Sequence, residues 1–134
     1  MTNVQLLEQV MGHIEAYPEQ HNQRAFFSRN ECGTAGCVAG WACLLSGLKP
    51  SQDRWWTSSQ RGWDSQTHIL EDGSFVQDKA QELLNLDDYD AGILFAAGNS
   101  KEEIKCMVKH LSNGEHLDYE YDYENDRPYD HDGE

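Results

Sequence analysis

The stretch from Cys32 to Gly47 (Cys-Gly-Thr-Ala-Gly-Cys-Val-Ala-Gly-Trp-Ala-Cys-Leu-Leu-Ser-Gly) is the most apolar run in the chain, and no charge falls between Glu31 and Lys49. A run this long without charge belongs inside a core, so the rest of the chain has to cover it. Its spacing predicts a buried helix. Thr34 is placed to cap the start, and Gly47 tolerates positive φ at the end. Val38, Trp41 and Leu45 fall at i, i+3 and i+7 and form a core stripe. Gly36 and Gly40, flanked by Ala35, Ala39 and Ala42, make a face on which another helix can approach closely. Glycine inside a helix costs roughly 1 kcal/mol relative to alanine, so two of them predict tight packing or a bend.

Other helices surround this run. Val4, Leu7, Val10, Met11, Ile14 and Tyr17 repeat at three-four spacing and predict a helix over residues 3–17. Thr2 with Gln5 fits a capping box, and Pro18 ends the helix. A polar loop over 19–31 contains Ala25-Phe26-Phe27, which tucks an aromatic against the core. Thr67–Leu70 and Ser74–Val76 flank Asp72-Gly73 and predict a hairpin. A helix follows over 77–85, with Ala80, Leu83 and Leu84 inward. Asp87 or Asp88 caps a further helix that buries Ala91, Leu94 and Phe95. Ser100 with Glu103 is a second capping box, opening a helix that buries Ile104, Met107, Val108 and Leu111. The reading is a mainly α fold: a compact bundle of about five helices with one short β-hairpin, spanning 1–114, and an acidic Tyr/Asp/Glu-rich extension over 115–134.

The chain has 134 residues, enough for one domain with a modest core. Its 24 acidic residues outnumber 10 lysines and arginines, a net charge of −14. Such a balance argues against direct contact with nucleic acid or an anionic membrane and favours a basic partner. No run approaches the roughly 20 apolar residues that span a bilayer, and Met1 is followed by polar Thr2 and Asn3 rather than an export signal. The expectation is a cytoplasmic protein with its four cysteines reduced.

One motif carries a resemblance. Cys32-Gly33-Thr34, Cys37 and Ala39-Gly40-Trp41-Ala42 read C-G-T-x-x-C-x-A-G-W-A. With a glutamine-containing segment before it and an alanine-containing amphipathic helix after it, this is similar to a family of small proteins of actinobacteria and their phages. The resemblance spans roughly residues 3–112 and is specific at Cys32–Trp41. It implies a small helical domain of phage origin and no catalytic residues.

Several sites compete for a role. Cys32-x₄-Cys37 has zinc-knuckle spacing, but no second pair matches it; Cys43 lies in the apolar run and Cys106 stands alone in a later helix. Free cysteines otherwise behave as small buried hydrophobes. Cys32 or Cys37 at a helix start is a candidate nucleophile, with His68 or His110 as base. A small cysteine- or metal-dependent enzyme is the runner-up, although the C-G-[SA]-C-[WY] signature of papain-like proteases is absent from the sequence. Trp55, Trp56 and Trp63 offer a stacking surface for bases, but Arg54 and Arg61 alone are thin support for it, and such aromatics more often finish a core or make a protein–protein hot spot.

The segment 115–134 carries nine acids against Arg127 alone, a net −8. A solvated acidic tail is the plain reading, giving an interaction module with a solubilising appendage. The sharper reading starts from the strict alternation Asp118-Tyr119-Glu120-Tyr121-Asp122-Tyr123-Glu124. In an extended strand the four acids line one face at ~6.6 Å intervals, near the phosphate spacing of a nucleic acid strand, and the tyrosines face the other way. Calcium capture by Asp126, Asp130 and Asp132 lacks the pattern of an EF-hand. The expected function is a non-enzymatic, phage-encoded inhibitor that imitates nucleic acid charge, by analogy with acidic DNA-mimic proteins of the anti-restriction or anti-CRISPR type. It would bind a basic nucleic-acid-binding protein of the bacterial host, with no cofactor and no metal. The expected contacts are Asp118, Tyr119, Glu120, Tyr121, Asp122, Tyr123, Glu124, Asp126, Asp130 and Asp132, assisted by Asp87, Asp88 and Asp90.

Overall fold

The computed structural model describes residues 2–21, 23, 26–30, 33–57 and 65–128. The fold is mainly α, with five helices among the described residues: α1 (Val4–Ala16), α2 (Val38–Leu45), α3 (Val76–Leu84), α4 (Asp88–Leu94) and α5 (Lys101–Ser112). Four short strands, β1 (Phe27–Asn30), β2 (Gly33–Gly36), β3 (Trp56–Thr57) and β4 (Ser65–Thr67), form an antiparallel sheet in the order β2-β1-β4-β3. A hairpin of β5 (Tyr121–Asp122) and β6 (Arg127–Pro128) lies beyond α5. No helix among the described residues is long and apolar enough to cross a membrane.

Side-chain caps set the starts of α1, α4 and α5. At α5 both bonds of the expected capping box form: Glu103 N–H donates to Ser100 Oγ at 3.1 Å, and Ser100 N–H donates to Glu103 Oε1 at 2.9 Å. Its buried residues are the four expected, Ile104, Met107, Val108 and Leu111. Asp87 caps α4, accepting from Asp90 N at 2.7 Å. The last carbonyls of α4 are met by Asn99, whose Nδ2 donates to Ile93 O at 2.7 Å and Leu94 O at 3.1 Å. At α1 the cap is Asn3, one residue past the expected Thr2, with Leu6 N donating to its Oδ1 at 3.2 Å.

The central apolar run forms two elements rather than one helix. Residues 33–36 are β2, paired with β1 in the register Phe27↔Gly36 and Asn30↔Gly33. The helix begins at Val38 and is preceded by Cys37 in extended conformation, not by a Thr34 cap. The two glycines explain the geometry. A Cβ on Gly36 would stand 2.6 Å from Phe26 O, and one on Gly40 would stand 1.9 Å from the same oxygen. The small-residue face therefore admits the backbone entering β1, not a second helix. Gly40→Ala is expected to destabilise the protein at the upper end of about 1–3 kcal/mol, because the obstructing atom is backbone and cannot rotate away. Gly12, in the middle of α1, has nothing within 4 Å of its added Cβ. There the same substitution is expected to stabilise by roughly 0.5–1 kcal/mol through helix propensity. Urea unfolding of both variants checks the opposed signs.

The expected hairpin around Asp72-Gly73 survives as a turn. Gly73 has φ +88°, Gly73 N–H donates to Leu70 O at 2.9 Å, and Ile69 pairs with Phe75. Its second arm stops there because Val76 opens α3, so β4 finds its partners in β1 and β3 instead. α2 packs between α1 and α3, and its residues Val38 to Cys43 are all buried.

The segment after Gly114 is part of this core. Leu117 and Tyr123 are 2% and 5% exposed and join the same apolar cluster as α1, α4 and α5. The extended ladder over 118–124 does not form. Only Tyr121–Asp122 is strand, with turns on both sides. The tyrosines do not share a face either: Tyr119 is exposed, Tyr121 half-buried and Tyr123 buried.

Candidate functional site

The acidic segment is held down at two anchors, each built on a histidine and a carboxylate. The first lies on α4. Asp90 falls three and four residues before Ile93 and Leu94, so helical periodicity turns it inward with them, and it is 3% exposed. Its carboxylate is fully engaged: Oδ1 accepts from Leu117 N at 2.8 Å and Oδ2 from His116 Nδ1 at 2.8 Å. His116 also stands 3.5 Å from Asp87 Oδ2. The bond to Asp90, then the charges of Asp90 and Asp87, hold the His116 pKa above its ordinary value. Beside this anchor, Tyr119 meets Tyr89 edge to face, with ring centroids 5.2 Å apart.

The second anchor lies on α5. Asp126 sits at φ +54°, a left-handed turn position that asparagine and aspartate tolerate better than most residues. Its Oδ1 accepts from His110 Nε2 at 2.7 Å and from the Tyr121 hydroxyl at 2.7 Å, while Lys109 Nζ reaches Oδ2. These donors, Lys109 foremost, then His110, Tyr121 and Cys106, hold the Asp126 carboxyl well below the usual carboxylate range. Asp126 in turn pushes the Tyr121 phenol up to about 12. Burial first, then Asp126, raises the Cys106 thiol to about 11. His110 turns its other nitrogen, Nδ1, to Glu115 Oε2 at 3.3 Å. The rings of His110, Tyr121 and Tyr123 pack together at 4.7–5.4 Å between centroids. A cleft of about 670 Å³ opens beside this anchor, bordered by Met11 and Gly12 of α1, Cys106 and Lys109 of α5, and Tyr123 and Asp126.

Between the anchors the acids build turns. Asp118 Oδ1 accepts from Glu120 N at 2.8 Å. Asp122 Oδ1 accepts from Glu124 N at 3.1 Å and Asn125 N at 3.2 Å, and its Oδ2 accepts from Asn125 Nδ2 at 2.8 Å. Aspartates 118, 122 and 126 thus serve the local backbone or the second anchor, and their four-residue spacing matters more than the two-residue alternation.

Of the acids expected to face a partner, Asp90 is buried, and Asp126, though on the surface, is committed to four neighbours. Asp118, Glu120 and Glu124 remain exposed, as do Asp87 and Asp88 of α4, and Asp122 is half-exposed. The bonds from His116, Leu117 and Tyr119 hold residues 116–119 against α4. Asp130 and Asp132 lie outside the described residues, as do Cys32 and Trp63.

Cys37 stands at the start of α2, where backbone amides favour a thiolate. Burial outweighs those of Gly40 and Ala39 and pushes the thiol up to about 11. Cys43 is driven by burial to about 12. His68 stacks on Phe75, and His110 belongs to the second anchor. Trp55 is half-buried and packs against the core, while Trp56 is in β3.

Sequence reasoning named His110 only as a candidate base and missed His116 and Lys109. His116 and Lys109 stood out by nothing but type, but Cys106 and His110 are four apart on one helix, a spacing that puts two side chains on one face. Among the described residues, two sets offer donor atoms within 4.8 Å of one another: Cys106, His110 and Asp126, and Asp87, Asp90 and His116. Comparison with protein-family models, with curated proteins and with solved structures gives no match.

Proposed function

We propose that this protein binds a basic, nucleic-acid-binding partner through an acidic face formed by the folded 115–128 segment and the N-terminal corner of α4. The supporting observation is the docking of residues 116–119 along α4, which fixes the exposed Asp118 to the helix whose start carries the exposed Asp87 and Asp88. Glu120, Asp122 and Glu124 extend the same charge along the segment. A protein built to release counterions from phosphates meets similar electrostatics in an array of carboxylates held at fixed positions. The face works as fixed charge on a folded surface, not as an extended strand. The partner is a host protein of the kind that anti-restriction or anti-CRISPR inhibitors occupy.

The test uses charge without changing shape. Asp118→Asn and Asp122→Asn keep an oxygen to accept the turn amides, and Glu120→Gln, Glu124→Gln and Asp88→Asn keep side-chain length. The combined variant is expected to melt near the parent and to lose most of its affinity for a basic DNA-binding partner. Parental affinity should fall as salt rises, since exposed charges are screened over ~8–10 Å at 0.1–0.15 M. Duplex DNA or RNA should compete. Equal affinity of parent and variant, flat across a salt series, would overturn the reading.

A further inference from the structure

We propose that Cys106, His110 and Asp126 form a binding site for a zinc-class divalent ion, which staples the acidic segment to α5. The proposal does not rest on the partner reading: Asp126 lies in the same segment, but none of these three side chains is among the exposed acids that carry the partner face.

The donor set is assembled from two elements. Cys106 and His110 are i and i+4 on α5, so their side chains rise from one face of the helix, a spacing that helical metal sites use. Asp126 comes across from the turn between β5 and β6. One atom from each, Sγ, an imidazole nitrogen and a carboxylate oxygen, already lies within 4.8 Å of the others. In a tetrahedral zinc site neighbouring N and O ligands stand ~3.3 Å apart. His110 Nε2 and Asp126 Oδ1 are now 2.7 Å apart, so they must separate by only about 0.6 Å to admit an ion.

The surroundings suit that ion. Glu115 faces His110 Nδ1 at 3.3 Å, the place where a second carboxylate orients a metal-ligating histidine and raises its basicity. Lys109 holds Oδ2 of Asp126, which leaves Oδ1 for the metal once His110 and Tyr121 release it. Cys106 and Asp126 also border the cleft against α1, so water can supply the fourth ligand from that side. A thiolate, an imidazole and one carboxylate favour a borderline-soft ion such as Zn²⁺ over Mg²⁺ or Ca²⁺, which take oxygen ligands. Binding displaces protons to solvent: the Cys106 thiol gives up its proton as its sulfur lone pair goes to the ion, and the proton that His110 Nε2 donates to Asp126 leaves that nitrogen, so the neutral ring ligates through Nε2 and keeps its N–H on Nδ1 toward Glu115. The set at Asp87, Asp90 and His116 has no sulfur, and its Asp90 is buried, with Oδ1 held by the backbone amide of buried Leu117.

The experiment is titration of the full chain with Zn²⁺ and separately Mg²⁺, in a non-thiol reductant, followed by metal analysis after gel filtration. One zinc per chain, no magnesium, and a raised Tm with zinc are expected. With Co²⁺ in place of zinc, a thiolate-to-metal charge-transfer band is expected and should vanish in Cys106→Ala. His110→Ala should likewise release the metal. Glu115→Gln should weaken zinc about 10-fold while keeping the cobalt band, because Glu115 positions His110 without touching the ion. Cys106 is only half-buried, so Cys106→Ala carries the test if His110→Ala does not fold. Cys37→Ala and Asp87→Asn should retain stoichiometric zinc. Absence of zinc from the parent, or zinc that persists in Cys106→Ala, would overturn the site and leave Asp126 a hydrogen-bonded hub.

Discussion

Trp41→Ala is expected to lower the unfolding free energy by about 3–5 kcal/mol, the range of large aromatic deletions from cores. Trp41 is 8% exposed on α2, the helix that α1 and α3 enclose. Its indole Nε1 donates to Gln20 O at 2.9 Å, and the His13 ring lies 4.0 Å from it, centroid to centroid. The side chain therefore ties α1 and the short 3₁₀ turn at Pro18–Gln20 to the central helix. Alanine would regain a little helix propensity, at most about 0.5–0.7 kcal/mol, which is small against the cavity. Trp41→Phe separates the contributions. It keeps most of the volume and loses the indole bond to Gln20, which is half-buried, so it should cost only about 1 kcal/mol. Urea unfolding followed by circular dichroism measures both. If Trp41→Ala cost no more than Trp41→Phe, the central place of this side chain would be refuted.

Local rules read the helices well because local chemistry sets them. Ser100 with Glu103 marks the start of α5 without reference to any other part of the chain, and Asp87 does the same for α4. The start of α2 was not legible, because its cause is distant. Gly33 to Gly36 have weak preferences of their own, and pairing with β1 makes them strand. The close pass of Phe26 O over Gly36 and Gly40 is invisible in spacing, although the two glycines did announce that something must approach.

The acidic segment misled through a real pattern read at the wrong period. Alternating tyrosine and acid fits a strand, but Asp118 and Asp122 each find backbone amides within three residues, and such short-range bonds form before any partner is needed to pair a strand. Leu117 was the available signal. It is the one aliphatic residue in 115–134, and it is 2% exposed. Asp90 was legible in the same way. Its position relative to Ile93 and Leu94 places it on the buried arc, where a carboxylate needs donors and finds them in His116 and Leu117.

A chain ending at Gly114 is expected to be less stable than the parent by about 3 kcal/mol or more, a drop on the order of 10 °C in Tm. The core stripes of the helices end at Leu111, which by itself predicts that the segment is dispensable. The packing predicts otherwise. Leu117 and Tyr123 are buried, and full burial of one such apolar side chain is worth about 1.5–3 kcal/mol. Ordering the backbone costs about 1–2 kcal/mol per residue and offsets much of that gain. The two anchors tip the balance. Truncation takes the Leu117 amide and His116 from Asp90, and Asp126 from Lys109 and His110, leaving polar groups in the protein without partners at about 1–3 kcal/mol for each one that stays buried. Asp90→Asn isolates the first anchor: the amide oxygen still accepts from Leu117, while the charge facing His116 is lost. It should fall between parent and truncation. Partner binding is then best tested by neutralising exposed acids, since deletion would alter fold and charge together. A truncated chain that melts with the parent would show that docking contributes no stability and that residues 115–134 are an appendage.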